Sequence, residues 1–258
     1  MRAALPSRDQ SIVIVGIAGL TVLAWLDLWR RTGEMTHDSA MSVAMVMPGT
    51  NSWSVPELLA AGAMWSVMMI AMMLPSATPM LLFFSAVRRS RPTTGGMGAQ
   101  AAVFAAGFLG VWIAWAWLAA GLQWALQARL VLSPQLTVVR VPLAAAFLIV
   151  AGLYQFTSLK HACLARCQSP LGFLLSRWRD GTWGAAQMGI RYGAFCVGCC
   201  WALMGLLFVV GVMNLLWVAV LAVFVLLEKT VLRGPWPGRI TGVTLIGWAL
   251  YLLRASAM

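Results

Sequence analysis

The chain has 258 residues, 61% apolar and only 10% charged, with a mean hydropathy of +0.85. Soluble domains are roughly half apolar and a quarter charged, so this composition excludes one, together with disorder and collagen-like repetition. The net charge of +11, from 18 Lys and Arg against 7 Asp and Glu, fits a membrane protein with basic cytoplasmic borders better than a nucleic-acid binder.

A crossing needs roughly 20 residues, and the predicted elements are seven transmembrane helices. The first, 11–29, follows Arg2 and Arg8 and ends in Trp25, Asp27, Trp29, Arg30 and Arg31. That is an interfacial aromatic and basic border with no small-residue cleavage site after it, so the helix is read as uncleaved. Asp27 is expected to pair with Arg30 or Arg31 on its own helix. An outer loop with Met35, His37, Asp38, Met41, Met45 and Met47 leads to the second helix, 57–84. The third is predicted over 99–126 and the fourth over 141–159. An inner segment, 160–189, carries His161, Cys163 and Cys167, then an amphipathic piece around 174–183 expected to lie along the inner surface. The fifth, sixth and seventh helices are predicted over 190–212, 214–228 and 240–253. Glu228 is expected to pair with an inner arginine, and Lys229 to snorkel to lipid phosphate.

With the N-terminus inside, thirteen Lys and Arg residues fall on inner segments and five on outer ones. The positive-inside rule therefore gives N-in and C-out. That orientation argues against a rhodopsin-like receptor. The only lysines are Lys160 and Lys229, neither in the seventh helix, so a retinal Schiff base there is excluded. There is no Gly-x-x-x-x-Gly-Lys-Ser/Thr loop for a nucleotide, no His-Glu-x-x-His and no Cys-x-x-Cys-His. The two histidines, His37 and His161, fall on opposite sides of the membrane.

Five cysteines form two clusters toward the inner side. Cys163 and Cys167 stand four residues apart, one helical turn on one face. Cys196, Cys199 and Cys200, at offsets of three and four, make one stripe on the fifth helix, which Met204 continues. Counted from Arg191 at the interface, Cys200 lies roughly 13 Å deeper, near the midplane. Inner-side thiols stay reduced. Small packing residues are the plain alternative, supported by Gly189, Gly193, Ala194, Gly198 and Gly205. Three thiols on one stripe, with a second pair on the same side, point instead to a metal.

The second helix holds six methionines within about half its circumference, Met68 and Met72 among them, and then Pro75 and Pro79. Methionine also fills irregular core gaps. Pro75, roughly 14 Å deep, removes a donor and frees the carbonyl of Ala71. The expectation is a helix broken near the midplane, facing the cysteine stripe at one level, as in transporter sites. Thiolates and thioethers are soft ligands, so Cu(I) is the favoured cofactor or cargo, at Cys196, Cys199, Cys200, Cys163, Cys167, Met68, Met72 and Met204. Trp65-Ser66-Val67-Met68 echoes Trp201-Ala202-Leu203-Met204, which suggests a 3+3 inverted repeat with the seventh helix appended.

Taken together, Met64–Pro79, the run Tyr154–Lys160 through Cys163, Cys167 and Pro170, Gly193–Met204, Gly211–Asn214 and Glu228–Lys229 resemble a family of bacterial integral membrane proteins of unknown function described as predicted metal-binding membrane proteins. The resemblance covers most of 57–229, and Cys196-x-x-Cys199-Cys200-Trp201 is its most specific element. Ser158 departs from the proline expected before leucine and lysine. The resemblance implies a bacterial inner-membrane protein that binds a metal, and it names no reaction.

The sequence reading is thus all-α: a polytopic transmembrane bundle of about seven spans, one integral membrane domain over 1–258 with core motifs in 57–229. Its function is read as soft-metal handling or transport through a Cys/Met site, with no nucleotide and no nucleic acid. The partners expected are the lipid bilayer and a metal chaperone or membrane complex. Two alternatives stay open: a transmembrane thiol–disulfide electron carrier, and a non-catalytic subunit of a larger membrane complex.

Overall fold

A computed structural model describes residues 8–37, 55–89, 97–128, 141–212, 214–232 and 234–257. Among them every regular element is helical: α1 (Arg8–His37), α2 (Val55–Arg89), α3 (Met97–Ala128), α4 (Val141–Tyr154), α5 (Ser158–Gln168), α6 (Pro170–Arg177), α7 (Gly181–Gly205), α8 (Leu207–Val210), α9 (Leu215–Thr230) and α10 (Trp236–Ala257). Apolar surroundings offer no water to backbone groups, so a chain of this composition satisfies them within helices.

Four helical segments are long and apolar enough to cross a bilayer: Val13–Thr32, Val55–Arg89, Gly98–Ala128 and Gly181–Val210. A fifth crossing exists if α4 and α5, bent by 64° from one another, form one broken span. The expected sixth and seventh spans are helical but fall outside this set. At 16 residues, α9 is about 24 Å long, shorter than the roughly 30 Å hydrocarbon core. The 3+3 inverted repeat is not evident in helix lengths: α1, α2 and α3 have 30, 35 and 32 residues, against 14, 25 and 16 for α4, α7 and α9.

Three local expectations are corrected. The second helix is not broken: α2 is continuous through Pro75 and Pro79. The carbonyl of Ala71, which Pro75 cannot serve, instead accepts a hydrogen bond of 3.2 Å from Trp25 Nε1 on α1. A neighbouring helix thus supplies the missing donor. The fourth helix does not run on to 159. It ends at Tyr154, where the amides of Gln155, Phe156 and Thr157 bond back three residues at 3.1 Å each, and the chain turns. The amphipathic piece is a shorter helix set earlier, α6, which buries Phe173 and Leu174 and exposes Leu171 and Leu175. Trp183 belongs to α7, which begins nine residues before the expected position.

In the packing, α3 lies against both α2 and α7. Helices α1 and α9 pack on α2, α5 packs on α7, and α4 pairs with α10. The α3–α7 contact is close because glycines line it. A Cβ on Gly189 would stand 2.1 Å from the Phe104 carbonyl oxygen, and one on Gly107 would stand 2.6 Å from that of Ala186. Small residues at helix interfaces let backbones approach where lipid provides no hydrophobic drive. The methionines of α2, from Met64 to Met80, are all buried. The expected pair of Asp27 with Arg31 forms at 2.6 Å.

Candidate metal centre

The centre begins with the turn after α4. Thr157 caps α5, its side chain accepting from the Lys160 amide at 3.3 Å. Ser158 follows at the first helical position, where proline is well tolerated, so the departure noted there leaves the cap intact. The 64° bend lays α5 back along α7. The buried face of α5 is Lys160, Cys163, Leu164 and Cys167, a helical repeat of three and four. Cys163 fits because position 198 is glycine. A Cβ there would lie 2.8 Å from Cys163 Sγ. Tyr154 seals the same spot by donating its hydroxyl to the Gly198 carbonyl.

Two cysteine clusters, some thirty residues apart in sequence, thereby become one. Cys167 is buried where α5 packs on α7, close enough to Cys196 and Cys199 for the side chains to influence one another. On α7 the thiols of Cys199 and Cys200 donate to the carbonyl of Cys196 at 3.1 and 2.9 Å. Cys163 is 8% exposed and the other four at most 3%, and all five are free thiols. Phe173 from α6 and Tyr192 from α7 pack beside them with ring centroids 5.7 Å apart.

Two further residues enter the site that the charge pattern assigned elsewhere. Lys229 does not snorkel to lipid phosphate. It is buried, and its ammonium donates to Cys196 Sγ at 2.8 Å and to Ser76 Oγ at 3.2 Å. Ser76 follows Pro75, so a lysine from α9 links the proline level of α2 to the cysteine stripe of α7. Glu228 pairs with Lys160 at 2.6 Å, not with an arginine, and Lys160 also donates to Gln155 Oε1. Gln168 Nε2 then donates to the carbonyls of Glu228 and Leu232 at 2.8 and 3.0 Å. The end of α9 is therefore clamped to α5 from both sides. The only early signal for these roles was two lysines and one glutamate at span ends of an apolar chain.

The methionines stand differently. Met68 and Met72 are buried in α2. Met204 is buried in α7 and lines an apolar cavity of about 360 Å³ with Trp65, Trp201 and Phe208. The outer-loop candidates Met41, Met45 and Met47, and the side chain of His37, lie outside the described residues. Among the described residues, no three Cys, His, Asp or Glu side chains are already arranged as a ligand set.

Residues 62–252 match the PpoB2 family model, described as a copper chaperone. The chain belongs to the PpoB2 copper chaperone family. The matched region holds both cysteine clusters, the prolines of α2 and the Glu228–Lys229 pair. No curated protein and no solved structure matches the chain. Membership agrees with the expectation of a copper-related function. The donor chemistry is compatible with it, because clustered sulfur is what a soft monovalent ion selects.

Proposed function

We propose that this copper chaperone works within the membrane, taking Cu(I) as cargo on Cys196, Cys199 and Cys200. Cys163 and Cys167 pass it to or from the cytoplasmic side, and Met68, Met72 and Met204 extend the path. What carries the reading is the packing of α5 on α7, which buries all five thiols together and sets Cys163 against Gly198 of the cysteine stripe. Cys199 and Cys200 are tied to the Cys196 carbonyl, and capture would turn them from that acceptor toward the ion. No nucleotide motif is present, so transfer is driven by a gradient or by a partner that gives or accepts copper. The thiol–disulfide reading is weaker, because reactive cysteines are partly exposed and these are enclosed.

In this reading the chain sits in a bacterial inner membrane, N-in and C-out, with α9 and α10 completing seven crossings. Support comes from the thirteen-to-five division of basic residues.

The test is the copper content of reduced, purified protein, measured by mass spectrometry beside a Cys196/Cys199/Cys200→Ala variant. Copper in the wild type and its loss in the variant are expected; equal copper in both refutes the site. Full function of that variant in vivo would leave the cysteines as packing and favour the subunit reading.

A further inference from the structure

Lys229 calls for an explanation beyond copper binding by sulfur. It is 6% exposed, and a buried ammonium is costly unless a negative charge or strong acceptors meet it. Lys160 forms an ion pair with Glu228 at 2.6 Å. The adjacent carboxylate, Glu228, is thus engaged by Lys160. Ser76 Oγ is a neutral acceptor whose own proton goes to the Met73 carbonyl at 2.8 Å. Of the two groups that Lys229 Nζ touches, only Cys196 Sγ can become an anion.

We propose that Lys229 sets the charge of the thiol centre and thereby makes it a site for a monovalent soft ion in preference to a divalent one. This rests on the thiol cluster being the copper site. The arithmetic is simple. Two thiolates with Cu(I) carry a charge of −1, which the ammonium brings to zero. Two thiolates with a divalent ion are already neutral, and the ammonium leaves +1 in a buried place. For any fixed number of thiolates, the divalent complex carries one more unit of charge that Lys229 repels. A unit charge a few ångströms away at an effective dielectric of about 20 changes the preference by about a thousandfold, and by about tenfold where water screens it.

Sulfur softness alone does not discriminate among soft ions, so the test compares two soft ions of different charge. The full-length protein, reduced and in detergent, is titrated with Ag(I) and with Cd(II), each against a competing chelator. Lys229→Gln keeps a donor for Cys196 and removes the charge; Lys229→Arg keeps the charge. The expected result is a ratio of Ag(I) to Cd(II) affinity that falls at least about tenfold in Lys229→Gln and stays within about threefold of wild type in Lys229→Arg. An unchanged ratio in Lys229→Gln overturns the assignment. If the Gln variant does not fold, Lys229→Met takes its place: a fall of at least about tenfold supports the assignment and an unchanged ratio overturns it. Wild-type protein that binds copper but shows no shift in Lys229→Gln refutes only the role of the lysine. Wild-type protein that binds neither copper nor Ag(I) refutes the metal site as well.

Discussion

The Lys160–Glu228 pair provides the sharpest test of how the inner end of the bundle is held. The two side chains are 0% and 1% exposed and 2.6 Å apart. At an effective dielectric of about 20, that separation corresponds to an attraction of about 6 kcal/mol, most of which desolvation of both ions takes back. Replacing Glu228 with Leu leaves Lys160 charged and buried, with Gln155 Oε1 as its remaining polar partner. An abandoned buried charge costs about 3–5 kcal/mol. The Gln168 bonds go to backbone carbonyls and survive the substitution, so they add nothing to the loss. Lys160→Met strands the carboxylate and has a similar effect. The double variant Lys160→Met/Glu228→Leu removes both charges, along with a carboxylate oxygen, Glu228 Oε2, that has no hydrogen-bond partner. It is expected within about 1–2 kcal/mol of wild type. In thermal unfolding of purified protein in detergent, each single variant should melt roughly 6 °C or more below wild type, and the double variant should recover most of that loss. Single-variant losses below about 1 kcal/mol, or a double variant equal to the sum of the two, would refute the pair as the fastening of α5 to α9.

Two further outcomes follow from the packing. Gly189→Ala drives a Cβ into the Phe104 carbonyl, whereas Gly110→Ala meets nothing within 4 Å. The first should destabilise by about 1–3 kcal/mol in detergent unfolding and the second by less than about 0.5 kcal/mol, and equal effects would rule out a glycine-lined α3–α7 contact. Trp25→Phe leaves the Ala71 carbonyl without its donor, at about 1–3 kcal/mol. In a Pro75→Ala background a helical amide serves that carbonyl again, so Trp25→Phe should cost less there; an undiminished cost in a double-mutant cycle would refute the substitution of one donor for the other.

Composition and helical periodicity settled a good deal of this protein. An apolar chain with few charges favours helices, because a helix satisfies its backbone groups within one segment where water is scarce. Offsets of three and four place Cys196, Cys199 and Cys200 on one stripe, and Cys163 with Cys167 on one face, whatever the helices pack against. The i,i+4 spacing from Asp27 to Arg31 likewise set their pairing. All of these are local, contained within one or two turns. The continuity of α2 through Pro75 was not, because it depends on a tryptophan 46 residues from Ala71 in sequence.

The tertiary fold also decided how the two cysteine groups relate. Whether Cys167 meets Cys196 depends on a 64° bend at the end of α4, and a hydropathy pattern continuous from 141 to 159 hides that bend. The charged groups at the inner border were the least legible of all. A lysine at a span end has lipid phosphate within reach in any such sequence, and that sets the general expectation. Lys229 points inward because a serine 153 residues away and a cysteine 33 residues away offer it acceptors. Glu228 chooses Lys160 across 68 residues for the same reason. Periodicity determined which side chains share a face; only the packing of α5, α7 and α9 against one another determined what those faces meet, because the partners of a buried charge are chosen by proximity in space.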